Sequence, residues 1–187
     1  MKQLGSTDQK RLNRTWRRRT DQRVALVLDR LQQPFNVGSI IRTAAVLRVE
    51  DIWAVSDTPG PEVAKVAKIA LGTERYLDWH RVPTAGAAAE AARSAGYLVV
   101  GLELAGGATP AHETDLSGPV CLAIGHEDRG LSPAALDACD QVVYVPQVGR
   151  VGSLNVAQAA AIGMYEVRRQ GWAAGAQVGA AEPVEEA

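Results

Sequence analysis

Short apolar runs alternate with helix-period segments from residue 24 to residue 169. Val24–Asp29 (VALVLD) is a continuous apolar run ending in an acid, the pattern of a parallel strand buried on both faces. A turn is expected at Gln33-Pro34-Phe35-Asn36. Gly38 to Leu47 then puts Ile40, Ile41, Ala44, Ala45 and Leu47 on the apolar side of a helix. Asp51–Ser56 reads as a second strand, and Pro61 to Ala70 as a helix with proline at its start. Leu77 to Val82 is a weak strand, and Thr84 to Ala95 an alanine-rich helix closed by Gly96. Tyr97–Leu104 is a strong strand and Val120–Ile124 another, followed by Gly125. Ser132-Pro133 opens a helix through Ala138, Gln141–Val145 is a strand stopped by Pro146, and Ser153 to Arg169 is the last long helix. This alternation predicts an α/β fold with a parallel sheet and helices on both faces, occupying residues 21–170 as one domain. Ligands in such sheets bind beyond the carboxyl ends of the strands, which directs attention to the loops after Leu104, Ile124 and Val145.

Composition narrows the class. The 187 residues suit one domain with a full core, and with about 5% aromatic residues that core must be mostly Ala, Val, Leu and Ile. No apolar run approaches the roughly 20 residues of a membrane span. The N-terminal residues carry charge without the apolar stretch of a secretory signal. Cys121 and Cys139 form no CxxC pair, so a cytoplasmic protein with reduced thiols is expected.

The net charge of −1 points to no partner, but its distribution does. Residues 1–20 hold Lys2, Lys10, Arg11, Arg14, Arg17, Arg18 and Arg19 against Asp8. Such a basic arm suits a phosphate backbone, although the same residues also fit a solvated helix face. Arg11, Arg14, Arg17, Arg18 and Arg19 are therefore candidate nucleic-acid contacts, and Trp16 suits either base stacking or docking on the body. Residues 171–187 are Gly/Ala-rich with Glu182, Glu185 and Glu186, and read as a flexible tail.

Three polar segments carry candidate chemistry. Asn36-Val37-Gly38-Ser39-Ile40-Ile41-Arg42-Thr43-Ala44 lies between a strand and a helix. There Asn36 can orient a loop, Gly38 permits close backbone approach, and Arg42 sits one turn into the helix. Ile124-Gly125-His126-Glu127-Asp128-Arg129-Gly130-Leu131-Ser132 packs charge behind a buried strand. Its spacing does not support a metal, because His80, His112 and His126 form no HxxxH or HxxE pattern. Val145-Pro146-Gln147-Val148-Gly149-Arg150-Val151-Gly152-Ser153-Leu154-Asn155-Val156-Ala157 joins the last strand to the last helix, with Ser153 as the expected N-cap. Each alone also fits an ordinary capped connection. The chain lacks GxGxxG, GxxxxGK[ST] and GxSxG, which argues against a nicotinamide-dependent oxidoreductase, a P-loop NTPase and an α/β-hydrolase.

Taken in order, N-x-G-S-I-x-R-T-A, I-G-H-E-x-x-G-L-S and V-P-x-x-G-x-x-x-S-L-N-V-A resemble the three motifs of the SpoU or TrmH-like RNA 2′-O-methyltransferases of the SPOUT superfamily. The resemblance covers about residues 22–170. It implies a deep C-terminal trefoil knot over roughly Val120 to Met164, bent S-adenosylmethionine held in the knot loops, and a homodimer whose sites draw on both subunits. Carried over by position, the cofactor would lie against Leu104, Gly125, Val145, Pro146, Ser153 and Leu154. Gly125 would let the backbone close on the cofactor. Arg42, Asn36, Glu127, Ser153 and Asn155 would be the catalytic set.

The resemblance places Arg42 near the target ribose and the opposite subunit's cofactor, activating the 2′-hydroxyl as a base or by electrostatics. A guanidinium essentially keeps its proton, so orienting a phosphate or supporting a developing alkoxide suits it better. Asn36 and Asn155 would organise loops and the substrate pocket. Glu127 would anchor a backbone amide, the motif arginine or the cationic end of the cofactor. Small relatives point to tRNA ahead of rRNA. A non-catalytic RNA-binding module on the same fold would not need Arg42, Glu127, Ser153 and Asn155 together.

Overall fold

The computed structural model describes residues 3–178. The strands are β1 (Val24–Asp29), β2 (Asp51–Val55), β3 (Asp78–Val82), β4 (Leu98–Leu102), β5 (Thr109–Pro110), β6 (Val120–Ile124) and β7 (Gln141–Tyr144). The helices are α1 (Ser6–Arg17), α2 (Pro34–Val46), α3 (Ala64–Ala70), α4 (Ala85–Ser94), α5 (Pro133–Asp137) and α6 (Val156–Val178). The strands form one sheet in the order β3-β2-β1-β6-β4-β7-β5, and every pairing is parallel. β1 lies between β2 (Leu26 opposite Ile52) and β6 (Val24 opposite Val120), so it is covered on both faces and both edges.

Side-chain alternation along the strands divides the core in two. Leu26, Leu28, Ile52, Leu122 and Ile124 pack with Ile40 and Ile41 of α2, Val66 of α3 and Met164 of α6. Ala25, Val27, Val55, Val99, Cys121 and Ala123 face the other way, against Ala85, Ala88, Ala89 and Ala92 of α4 and Ala135 of α5. Helices therefore cover both faces, as the sequence predicts. Shortening Leu26 or Leu122 to alanine would cost about 2–5 kcal/mol, the range for a fully buried leucine.

Several boundaries differ from the sequence reading. α2 begins at Pro34, so Asn36 sits in its first turn, not in a turn before it. Proline at the first helical position loses no hydrogen bond and its fixed φ suits the helix. α3 starts at Ala64, because Val63 is extended (φ −78°, ψ 117°). β4 ends at Leu102 and β7 at Tyr144, which leaves Leu104 and Val145 in the loops beyond the sheet. The two-residue β5 has no hydrophobic pattern and exists only by pairing with β7.

The basic arm is the helix α1, and none of its residues is buried. α6 runs to Val178, so the stretch from Gly171 to Val178, expected as flexible tail, is helical. Glycine at 171 and 175 reads as helix-breaking, yet a Cβ at 171 would meet Gln22 and one at 175 the carbonyl of Arg19. The helix is held where close packing against residues 19–22 leaves room for hydrogen only. Glu182, Glu185 and Glu186 of the acidic tail lie outside the described residues.

Arg168 locks α6 to the sheet. It is buried and donates to the carbonyls of Leu47 (2.7 Å) and Arg48 (2.6 Å), just past the C-terminus of α2, and of Gln22 (2.5 Å). Burial, with Arg48 nearby, pulls its guanidinium down to about 10. No helix among the described residues is long and apolar enough to cross a membrane.

Candidate active site

The carboxyl ends of β4, β6 and β7 open onto a cleft of about 490 Å3. Its walls include Gly125, Glu127, Val145, Ser153 and Leu154 of the motif segments and Leu104 beyond β4. Glu103, His126, Asp128, Val156 and Ala159 line it as well. Pro146 does not, although Val145 and Gln147 on either side do. Pro146 follows the end of β7 by two residues, where its missing N–H costs the sheet no hydrogen bond.

The loop between β6 and α5 forms one wall, and its shape is over-determined. His126 and Gly130 exchange backbone hydrogen bonds at 2.9 Å in both directions. Within that turn the Asp128 N–H donates to His126 Nδ1 at 3.0 Å. The buried Asp29 carboxylate, at the end of β1, accepts from the Ser132 N–H at 2.8 Å. Glu103, one residue past β4, accepts from the Leu131 N–H at 2.8 Å and the Leu104 N–H at 3.1 Å.

Gly125 is required by this turn. A Cβ there would lie 2.1 Å from Gly130 C and from Leu131 N. The close approach that the glycine permits is thus to its own chain, not only to a ligand. Gly38 plays the same part elsewhere, since a Cβ on it would lie 2.7 Å from Ile69 Cβ, where α2 crosses α3.

Glu127 ties the three motif segments together. Oε1 accepts from the Gln33 N–H (2.9 Å) and from Asn36 Nδ2 (3.1 Å), and Oε2 from the Gln32 N–H (3.1 Å). Burial by itself would push this carboxyl up. N–H donation from Gln33, its own amide, Asn36 and Gln32 outweighs burial and holds it below the ordinary glutamate value. Asn36 Oδ1 in turn accepts from Asn155 Nδ2 at 3.0 Å. Asn155 Oδ1 caps α6 by accepting from the Ala157 N–H (3.0 Å) and the Gln158 N–H (3.3 Å).

The cap of α6 is therefore Asn155 and not Ser153, whose hydroxyl is left at the cleft wall. Of the three partners open to Glu127 from its sequence, the structure pairs it with backbone amides and with Asn36. Asn36, Glu127 and Asn155 are residues 91 and 119 positions apart that form one hydrogen-bonded chain.

Arg42 stands apart. It lies about 9 Å along α2 from Asn36 at 1.5 Å per residue. It is exposed and has no hydrogen-bond or ion-pair partner among the described residues. Arg11, Arg14, Arg17, Arg18 and Arg19 are all exposed on or just after α1 and do not line the cleft. Trp16 docks on Trp172 of α6, with ring centroids 5.0 Å apart.

Sequence reasoning missed Glu103 and Asp29. Both are acids at the carboxyl end of an apolar strand, and that position was the available signal. Which amide each carboxylate meets depends on a loop 28 or 103 residues away in the chain.

The SpoU rRNA Methylase family pattern matches residues 23–165. The chain is 34% identical over 151 residues to the 23S rRNA (guanosine-2′-O-)-methyltransferase RlmB of Acinetobacter baylyi, covering 80% of this chain and 61% of that protein. It is 32% identical over 147 residues to the tRNA (guanosine(18)-2′-O)-methyltransferase of Escherichia coli, covering 79% of this chain and 63% of that protein. The crystal structure of the SpoU methyltransferase AviRb from Streptomyces viridochromogenes in complex with AdoMet is similar, with a TM-score of 0.72 and 33% identity over 81% of this chain and 58% of that one. The chain thus spans less than two thirds of the length of these curated relatives. The matched region contains the whole Asn36–Glu127–Asn155 chain and every wall of the cleft, and the protein belongs to the SpoU rRNA Methylase family.

Proposed function

We propose that the protein is an S-adenosylmethionine-dependent RNA methyltransferase that modifies a ribose 2′-hydroxyl, with tRNA as its substrate class and the cytoplasm as its place of action. The observation that carries this reading is the meeting of the 124–132 and 145–157 motif segments on one cleft, with the 36–44 segment tied to both through the Asn36–Glu127 and Asn36–Asn155 hydrogen bonds. The residues present suit the cofactor. Leu104, Ile124, Leu154 and Val156 offer apolar walls for an adenine ring, while the carboxylates of Glu103 and Asp128 suit a cationic methionine portion. The AdoMet complex of the related AviRb supports the same choice. S-adenosylmethionine, when bound, supplies an electrophilic methyl group, so the site must chiefly align an in-line attack.

The chain's own residues serve that alignment. Glu103, Asp29 and Glu127 hold the 126–132 loop in one shape before any ligand arrives, which lowers the ordering cost of binding. Ser153 presents a hydroxyl at the cleft wall that both donates and accepts, as a ribose requires. Arg42 offers the two-pronged donor of its guanidinium to a phosphate or a developing alkoxide.

Arg42 does not line the cleft of its own chain, which supports a homodimer in which each site is completed by the other copy. The family relationship supports a knotted C-terminal region over roughly residues 120–164. The arginines of α1 hold the phosphate backbone. The 32% identity to the tRNA (guanosine(18)-2′-O)-methyltransferase of Escherichia coli supports tRNA as the substrate class.

The test is transfer of tritiated methyl from S-adenosylmethionine to bulk tRNA and, separately, to rRNA, followed by nucleoside analysis. A 2′-O-methylated nucleoside in the tRNA pool is expected. Label in rRNA alone overturns the substrate class, and base-methylated product overturns the chemistry. Sedimentation tests the dimer: a fully active monomer refutes it.

A further inference from the structure

His126 lines the cleft, yet its ring takes no part in the hydrogen-bonded chain that joins the three motif segments. The imidazole is 11% exposed and sits in the turn closed by the paired backbone bonds of His126 and Gly130. Its Nδ1 accepts from the Asp128 N–H at 3.0 Å. Glu127 Oε2 lies 3.9 Å from the same nitrogen, too far for a hydrogen bond, and already accepts from the Gln32 N–H. A ring nitrogen that accepts an N–H carries no proton of its own, so the proton of the neutral ring is on Nε2.

Nε2 makes no hydrogen bond among the described residues, and it is not one of their buried polar atoms left without a partner, so solvent reaches it. The turn therefore presents a fixed N–H donor at the cleft wall. Two other uses of the ring do not fit. Nε2 has no free lone pair with which to take the proton of a 2′-hydroxyl. A metal ion would need further ligands, and no group of three His, Cys, Asp or Glu side chains among the described residues is placed to hold one. The remaining partner for a fixed donor in a cofactor cleft is an acceptor atom of the cofactor.

We infer that His126 Nε2–H donates to a ribose hydroxyl in the adenosine part of S-adenosylmethionine. The inference rests on the reading that the cleft binds this cofactor. Its parts divide the wall between them. Leu104, Ile124, Leu154 and Val156 suit the adenine, and the Glu103 and Asp128 carboxylates draw the ammonium end. His126 follows Ile124 by two residues, about 6–7 Å along an extended chain, which is comparable to the step from a purine to the hydroxyls of the ribose it carries. The donor is set before the ligand arrives, by the Asp128 amide and by a turn that needs Gly125 and Gly130 (φ +66°), so little ordering is left to binding.

His126→Asn separates the two edges of the ring. The asparagine Oδ1 can accept from the Asp128 N–H as Nδ1 does, while nothing takes the place of Nε2. Calorimetry on the full chain compares S-adenosylhomocysteine, its 2′-deoxy and 3′-deoxy counterparts, and 5′-methylthioadenosine, which keeps the adenosine and lacks the amino-acid end. The unaltered protein should bind S-adenosylhomocysteine about fivefold more tightly than one of the two deoxy compounds, the order of one hydrogen bond between uncharged groups. His126→Asn should bind S-adenosylhomocysteine about fivefold more weakly, and should no longer distinguish it from that deoxy compound. Methylthioadenosine should lose the same factor. Comparing hydroxyl with deoxy ligand within one variant cancels any change in the turn itself.

Unaltered S-adenosylhomocysteine affinity in His126→Asn overturns the contact. So does a weakened variant that still distinguishes the deoxy compounds as the unaltered protein does, or an unaltered protein that binds all three alike. A loss that spares methylthioadenosine moves the contact to the amino-acid end and overturns it as well. Failure of the unaltered protein to bind S-adenosylhomocysteine at all is a separate result, which removes the cofactor reading and the contact with it. None of these readouts requires methyl transfer, so the two failures are seen apart.

Discussion

Glu127→Gln separates a carboxylate that holds loops from one that holds the cofactor. The glutamate accepts three N–H groups, from Gln33 at 2.9 Å and from Asn36 and Gln32 at 3.1 Å. A glutamine oxygen can keep the first two at Oε1, but its NH2 group then faces the Gln32 N–H donor to donor. One hydrogen bond to a charged acceptor is lost, worth about 1.5–3 kcal/mol, and the other two lose their charge assistance. The Gln32 amide is exposed and turns to water, which puts the cost at the low end, about 2 kcal/mol. For a chain of this size that lowers the melting midpoint by about 4–8 °C. Urea unfolding measures it, with a reduced midpoint and an unchanged slope expected. A double-mutant cycle with Asn36→Ala should give a coupling of at least about 0.5 kcal/mol, because the two side chains share a bond. An unchanged urea midpoint together with lost S-adenosylmethionine affinity would refute the reasoning and make Glu127 a direct cofactor ligand.

Acid should act through the same group. The Glu127 carboxyl lies below its ordinary value of 4.5, so its contribution is complete above that pH and is lost as pH falls through the lower folded value; below about 4.5 the urea midpoint of the unaltered protein should fall more steeply than that of Glu127→Gln. Gly125→Ala would place a methyl 2.1 Å from Gly130 C and Leu131 N, so a loss of about 3 kcal/mol or more in urea unfolding and loss of cofactor binding by calorimetry are expected. Glu103→Gln should weaken cofactor affinity about tenfold through a loosened 131 amide while circular dichroism stays unchanged; unaltered affinity would remove Glu103 from the site. Arg42→Ala touches no partner among the described residues, so folding and cofactor binding should persist while methyl transfer falls at least about tenfold; near-normal turnover would take Arg42 out of the reaction.

Legibility followed sequence distance. β1 and β6 have the bounds expected from their apolar runs, because a strand buried on both faces leaves an uninterrupted signature that needs no partner to be read. Ser132 capping α5, with its side chain accepting from the Ala135 N–H, was equally local. The three motif segments were visible as glycine and polar residues where strands end. The meeting of the second and third on one cleft, and the tie of the first to both through Asn36, were not visible, since they require β4, β6 and β7 to be neighbours in the sheet and β1 to lie beside β6.

What the sequence determined by itself is therefore the layer architecture and the set of residues from which a site is built. Tertiary structure decided the pairings. It made Asn155 the cap of α6 and Glu127 the hub of a chain joining residues 32, 33, 36 and 155. It aimed Glu103 at the Leu131 amide and carried α6 past Gly171 by packing it on Gln22. Secondary structure follows from periodicity within a few turns of chain, whereas a hydrogen bond needs a donor and an acceptor within about 3 Å, and only the folded path of the backbone sets that distance for groups some hundred residues apart.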